Sequence, residues 1–272
     1  RIEILRAPTA ETGTRAVAGT INIVLREPLK AKSDEFKAGV QEERNRYSPN
    51  LSWSRNDSFS DTGTYNLSLA LNRNDQLTDN KTHALNSDLT SGAPILQQDG
   101  TSSADSQRNS VFLSSRVQWR LGAGELFSLQ PFAVHNESHT HTVGTLTQSL
   151  GSNPVPYATS DSVSNGTNNV FRLGSQLLKR LDAQTRLDVR ANIGSFNSKN
   201  DSSLNQFDAG NNVNLTQQTT ADITDRSWSL AVKGLRSFES GHSGVIGTEV
   251  ERVNRSESGN TRQSNVDLNL GG

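Results

Sequence analysis

Side chains that alternate between apolar and polar over many residues constrain this chain more than any other feature. In residues 64–74, Tyr65, Leu67, Leu69 and Leu71 occupy one parity, and Asn66, Ser68, Ala70 and Asn72 the other. Successive side chains of a strand point to opposite sides, so this period of two predicts a strand with one apolar and one polar face. The pattern recurs at 35–44 (Phe36, Ala38, Val40), 50–55 (Leu51, Trp53), 110–120 (Val111, Leu113, Val117, Trp119), 184–196 (Leu187, Val189, Ala191, Ile193) and 226–236 (Trp228, Leu230, Val232). Weaker strands are expected at 125–135, 169–179 and 243–253, with a truncated one near 263–270. In 125–135 the parity is ambiguous, because Phe127 and Leu129 compete with Phe132 and Val134.

The connections carry a second pattern. Residues 75–109, 137–168 and 197–225 are polar and read as long loops. Leu121-Gly122-Ala123-Gly124, Leu181-Asp182-Ala183 and Glu239-Ser240-Gly241-His242 read as tight turns. Unstructured loops of that length argue against a compact soluble domain. Long and short connections alternating between amphipathic strands of about ten residues describe a transmembrane β-barrel, with the long loops extracellular. Cost decides which face meets lipid: in 184–196 the opposite choice would put Arg186 and Arg190 into hydrocarbon, at roughly 2–4 kcal/mol each. Trp53, Trp119 and Trp228 lie on apolar faces toward strand ends, where an aromatic girdle at the membrane interface is expected.

Only 32% of the 272 residues are hydrophobic, which fits either a partly disordered polar protein or a barrel whose strands need apolar residues only at every second position. The formal net charge of −1 offers no basic excess for nucleic acid. Cysteine is absent, so no disulfide or thiolate chemistry is expected. No apolar run is long enough for a transmembrane helix, and the opening Arg-Ile-Glu-Ile is not a signal peptide.

The first thirty residues bring a more specific signal. Ile2, Ile4 and the run Thr20 to Leu25 are β-prone, with breaks at Pro8, Gly13 and Gly19. Ile2-Glu3, Leu5-Arg6, Pro8, Gly13, Ala16, Gly19, Ile21-Asn22-Ile23 and Arg26 follow the order and spacing I-E-x-L-R-G-P, small-residue turn, G-x-I-N-I-x-x-K/R. In these positions the chain resembles the closing segment of the plug domain in TonB-dependent outer-membrane receptors. It departs from the pattern at Ala7, Thr12 and Ala18. The resemblance implies that 1–29 is the C-terminal end of a plug domain and that 30–272 is the N-terminal portion of an outer-membrane β-barrel. On that reading the charged segment 27–34, with Pro28, is the boundary. About nine to ten strands would be present of the roughly 22 in such receptors. The chain would then be a fragment that starts inside a domain, its export signal and TonB box lying in a missing part. It would leave two open edges, so it should not function alone. The implied function is active uptake of a scarce ligand, usually a ferric siderophore, sometimes cobalamin, haem or a carbohydrate. The implied partners are the TonB complex, outer-membrane lipid and the ligand. Glu3, Arg6 and Arg26 would be structural pairs inside the barrel. A passive porin or adhesin barrel is the alternative, and a soluble secreted β-sandwich a third reading.

No catalytic, cofactor-binding or metal-binding residue is expected. His135, His139 and His141, with Glu137, are a possible transition-metal donor set, but an ordinary polar loop is the stronger expectation. The run Asp208-Ala-Gly-Asn-Asn-Val-Asn lacks the frame and distal Glu of a calcium loop. Gly13 to Gly19 is followed by no Lys-Ser/Thr and is not a phosphate loop. There is no Gly-x-Ser-x-Gly elbow, so enzymatic activity is not expected. Arg116, Arg172, Arg186 and Arg190 are expected in the lumen, pairing with carboxylates or lining a path for an anionic ligand.

Overall fold

A computed structural model describes residues 2–5, 20–23, 32–239 and 242–265. Two short strands, β1 (Ile2–Leu5) and β2 (Thr20–Ile23), pair antiparallel with Ile2 opposite Ile23 and Leu5 opposite Thr20. These are the two β-prone runs of the opening segment. Arg6, Pro8, Gly13, Gly19, Arg26, Pro28 and the boundary at 29–30 lie outside the described residues.

The rest is one nine-stranded antiparallel sheet in which every strand pairs with its neighbours in sequence. Its strands are β3 (Ser33–Glu43), β4 (Arg46–Ser58), β5 (Gly63–Ser87), β6 (Pro94–Gly122), β7 (Glu125–Leu150), β8 (Thr159–Arg180), β9 (Thr185–Phe207), β10 (Val213–Ser237) and β11 (Ser243–Asn265). Ser33 and Asp34 of the expected linker therefore begin β3. Residues 263–265 end β11 rather than opening a tenth strand.

The three expected long loops are corrected. Of 75–109 only 88–93 lies outside strands, of 137–168 only 151–158, and of 197–225 only 208–212. The remainder continues the ladders: β5 and β6 stay paired to Asn86 and Ser87, far beyond Leu71, the last apolar residue of the 64–74 pattern. Their extension past the apolar segment is about 50 Å long at the usual rise per residue. Backbone hydrogen bonds carry it, and these do not depend on side-chain polarity.

The register places all the apolar runs on one face. Leu69 lies opposite Trp53 and Leu113, and Trp53 opposite Phe36. Leu177 faces Phe127 and Val189, which in turn faces Val232. The ambiguity in 125–135 is resolved the same way: Phe127, Leu129 and Ala133 join this face, while Phe132 and Val134 join the other.

The apolar band does not run straight along the hydrogen-bond rows. In β3 it centres on Ala38, whose row passes through Leu51 and Leu71 and then leaves the band at His135, Asn169 and Asn197. In β11 it centres on Thr248, between Ile246 and Val250, whose row passes back through Val232, Val189, Leu177, Phe127 and Trp119 to Gly63. From Leu71 to Gly63 the band slides about eight residues across eight strand junctions, or about one residue per strand. With strands about 4.8 Å apart and a rise of about 3.3 Å per residue, a level band then requires strands tilted by about 35°. That is the tilt of a barrel wall.

No hydrophobic residue is buried among the described residues, and Phe36 and Ile246 are 67% and 81% exposed. A β-sandwich packs two sheets across a buried apolar core, and the described residues contain no buried hydrophobic residue. The architecture is an all-β partial barrel with one apolar belt and no protein core.

Two turns show why the strands reverse where they do. Arg44 and Asn45 both have positive φ (52° and 61°), the conformation of a two-residue hairpin whose twist matches its strands. Their turn is closed by the Asn45 amide donating to Glu42 Oε1 at 2.8 Å. At the opposite end of the sheet, Phe59 packs edge-on against Trp119 at 5.7 Å, and Trp119 stacks on Phe127 at 5.5 Å. Gly63 lies beneath the Phe59 ring, where any Cβ would collide with it.

Candidate functional site: the polar face of the sheet

The face opposite the apolar belt changes character along the strands. Level with the belt it is ionic. Arg116, Arg172, Asp188, Arg190 and Lys233 all project there, because each is one residue out of step with the apolar pattern. Arg190 Nη2 meets Asp188 Oδ2 at 2.7 Å, and Gln176 Nε2 donates to Asp188 Oδ1 at 3.0 Å. Of the four arginines expected in the lumen, Arg190 has its carboxylate. No described carboxylate lies within ion-pair distance of Arg116, Arg172 or Arg186.

Above this tier is an apolar ledge. Phe112, Val134, Val170 and Phe196 share one hydrogen-bond row, and Phe132 sits one row below. The Phe112 and Phe132 rings meet edge to face at 5.4 Å and 83°, a favoured aromatic arrangement. The row ends in a charged pair, Asp225 and Arg255, whose Oδ1 and Nε are 3.9 Å apart.

Two rows lie beyond the ledge, the second carrying Arg108 between Asn74 and Ser138, and past them the polar face of β5 to β10 loses its charges. One row reads Gln76, Ser106, Thr140, Ser164, Ser202, Thr219. The next reads Thr78, Ala104, Thr142, Ser162, Leu204, Gln217, and the third Asn80, Ser102, Gly144, Ser160, Gln206, Leu215. Cross-strand contacts here are neutral, such as Ser106 Oγ to Thr140 Oγ1 at 3.1 Å and Ser164 Oγ donating to Asn200 Oδ1 at 3.2 Å. A hydroxyl has one donor and two acceptor positions, so these groups keep capacity for a further partner.

Arg108 apart, the charged side chains of the β5 to β9 extensions sit on the other face, in line with the apolar belt. Arg46 Nη1 and Nη2 bridge Asp75 Oδ1 and Asp105 Oδ2 at 2.9 and 2.8 Å, and Arg44 reaches Asp79 Oδ2 at 2.7 Å. An open groove of about 610 Å³ beside Arg44, Arg46, Arg73 and Asp75 therefore has its arginines already matched by carboxylates.

His135, His139 and His141 lie on this same charged face, inside β7 rather than in a loop. Alternation points them in one direction, but each is taken by a different partner: His135 by Asn169 at 2.6 Å, His139 by Asn165 at 2.7 Å, His141 by Asp161 at 3.0 Å. His83, which the sequence did not single out, pairs with Asp99 in the same manner at 2.7 Å. Strung along a strand, the rings do not converge, and among the described residues no group of three His, Cys, Asp or Glu could hold a metal ion.

The calcium-like run is a turn. The Asp208 carboxylate accepts the backbone N–H groups of Gly210 and Asn212, both at 2.8 Å, and Asn211 takes φ 63°. These donors, Asn212 first, hold the Asp208 carboxyl below the usual carboxylate range. Asp88 and Asp182 are lowered in the same way, by the N–H groups of Ser91 and Gln184 respectively.

Trp119 lies at one margin of the belt and Trp228 at the other, whereas Trp53 lies within it, its indole N–H donating to Asp34 Oδ1 at 2.7 Å. No family model matches the chain, and no curated protein is similar to it.

Proposed function

We propose that this chain forms part of a TonB-dependent outer-membrane receptor, which takes up a scarce ligand by active transport. The observation that carries the reading is the belt. It is a mainly apolar strip that crosses all nine strands of a single-layer sheet, it slides about one residue per strand, and no hydrophobic residue of it is buried among the described residues. The strip is about nine residues tall in β6, from Val111 to Trp119, which at a tilt near 35° spans about 25 Å, the height of the apolar band of outer-membrane barrels. The opening segment adds its resemblance to the end of a plug and the pairing of its two short strands. Lipid then contacts the belt, and the polar face lines the lumen. The ligand expected first is a ferric siderophore, and the energy comes from the inner-membrane TonB complex. No enzymatic step and no nucleic acid enters this reading.

The alternative is a passive porin or adhesin barrel, and energy coupling separates the two. The complete receptor, expressed in cells starved of iron, should accumulate radiolabelled ferric siderophores only while the proton-motive force and TonB are intact. Uptake that persists after both are removed would mean a passive pore.

A further inference from the structure

We infer that Arg226 and Arg252 form a phosphate-binding pair for the headgroup of an outer-leaflet lipid, a phosphorylated glycolipid; the inference rests on the receptor reading above, in which the belt meets lipid and the strand extensions lie on the outer side.

The first observation is position. In β10 the last apolar residue of the belt is Trp228, and in β11 it is Val250. The next residue of the same face is Arg226 in one strand and Arg252 in the other. Both arginines are exposed. They stand where hydrocarbon gives way to headgroups, beside a tryptophan of the kind that marks such a margin. Arg252 lies opposite Trp228 and Arg226 opposite Asn254, so the two arginines are diagonal neighbours, about 7 Å apart.

The second observation is the lack of a counter-charge. On its face Arg226 is flanked by Ile193, Ser195 and Asn197 in β9 and by Arg252, Asn254 and Ser256 in β11. Arg252 donates from Nε to Asn254 Oδ1 at 3.3 Å. No described carboxylate lies within ion-pair distance of either guanidinium. Their chain neighbours Asp225 and Glu251 project from the opposite face, where Asp225 meets Arg255 at 3.9 Å. Other cations at the margins of the belt have partners: Arg73 has Asp75 at 3.7 Å, Arg55 has Asp57 at 2.8 Å, Lys179 has Glu125 at 2.9 Å, and Arg236 lies over the Phe238 ring at 5.7 Å.

Two like charges side by side repel, and more strongly next to hydrocarbon than in open water. The pair therefore calls for an anion from outside the sheet. Guanidinium groups bind phosphate oxygens bidentately, and a phosphate carried by a lipid reaches this height with its acyl chains against the belt. Thr224 and Ser256 face each other one step further along. The Thr224 oxygen accepts from Asn197 Nδ2 at 3.1 Å, which leaves both hydroxyl hydrogens free to donate to the same group.

Native mass spectrometry of the complete receptor in a neutral detergent tests the assignment. The probes are bisphosphoryl lipid A, the same glycolipid stripped of its phosphates, and inorganic phosphate. The bisphosphoryl form should bind about tenfold more tightly than the stripped one, as charge-assisted phosphate contacts predict, and inorganic phosphate should not displace it. Arg226→Gln combined with Arg252→Gln should weaken its binding by about tenfold, and the corresponding pair of lysines should restore part of the loss. Arg262→Gln, further along the same face of β11, should leave binding unchanged. Heat-modifiable migration on gels verifies that each variant is assembled. Equal binding of the two glycolipids, displacement by inorganic phosphate, or unchanged binding to the glutamine pair would overturn the inference. Any of these results beside intact TonB-dependent uptake would sink this inference alone. Recovery of the complete receptor in the soluble extract would sink the receptor reading instead.

Discussion

The belt and the strand extensions belong to the same nine-stranded sheet, share its register and alternate with the same period, yet they are written in different residues. In the belt, alternation sets Leu, Val, Ile and Trp against Ser, Asn and Arg. In the extensions it sets Asp, Lys, Arg and His against Ser, Thr, Asn and Gln. Residues 75–82 show the second pattern at its plainest: Asp75, Asp79 and Lys81 on one parity, Gln76, Thr78, Asn80 and Thr82 on the other. Backbone pairing makes both regions strands. Only the medium outside each face differs, and the side chains record that medium.

The sharpest way to break the comparison is to exchange the two patterns. Ile193→Arg puts a cation on the belt and should cost roughly 2–4 kcal/mol. Ser203→Arg, on the same face of the same strand but in the extension, should cost almost nothing. Urea unfolding of the complete receptor in lipid vesicles reads both, and equal costs would mean that the belt does not face hydrocarbon.

The margin of the belt gives a smaller effect. Gly63→Ala forces the half-exposed Phe59 ring off Trp119 and should cost about 1 kcal/mol, the worth of the lost aromatic contact. Tryptophan fluorescence should report the lost contact. An unchanged spectrum and stability would mean that the aromatic cluster carries no packing energy.

In the extension, Arg46→Ala removes the bridge to Asp75 and Asp105. Global stability should hold, while hydrogen exchange should quicken in the upper parts of β5 and β6. Added salt should reproduce part of that quickening in the unaltered protein, since exposed pairs are screened. The smallest effect is expected in the turns. Asp88, Asp182 and Asp208 have folded pKa values below their ordinary value of about 4. Each therefore contributes fully above that ordinary value and loses its contribution as pH falls through the depressed one. The protection of the Gly210 and Asn212 amides, that is, their exchange rate relative to the intrinsic rate at the same pH, should fall only on acidification. Loss of protection at neutral or alkaline pH would contradict the capping role.

These contrasts explain what was legible in the sequence. The belt strands were, because apolar residues at every second position announce both the element and its apolar side. The tight turn at Gly124 was as well, and its φ of 77° suits glycine. The extensions were not, because an apolarity pattern is blind to a strand whose two faces are both polar; charge against neutral polarity carried the signal there. Parity in β7 was undecidable from 125–135 alone, because Phe132 and Val134 belong to a ledge on the polar face that only pairing with Phe112 and Val170 reveals. The histidines lie in a strand rather than the expected loop, each ring facing a different cross-strand partner.

The drift of the belt has a consequence for any wall completed from this one. Its hydrogen-bond rows climb like a screw thread: the row that begins on the apolar belt at Phe36 ends among polar residues at Asn254. If each further strand keeps the same pitch, the strand that finally docks on β3 must arrive displaced by about as many residues as there are strands in the ring. Adding or deleting one hairpin would therefore demand a new seam, offset by about two residues, which ties the circumference of the wall to the pairing at its closure.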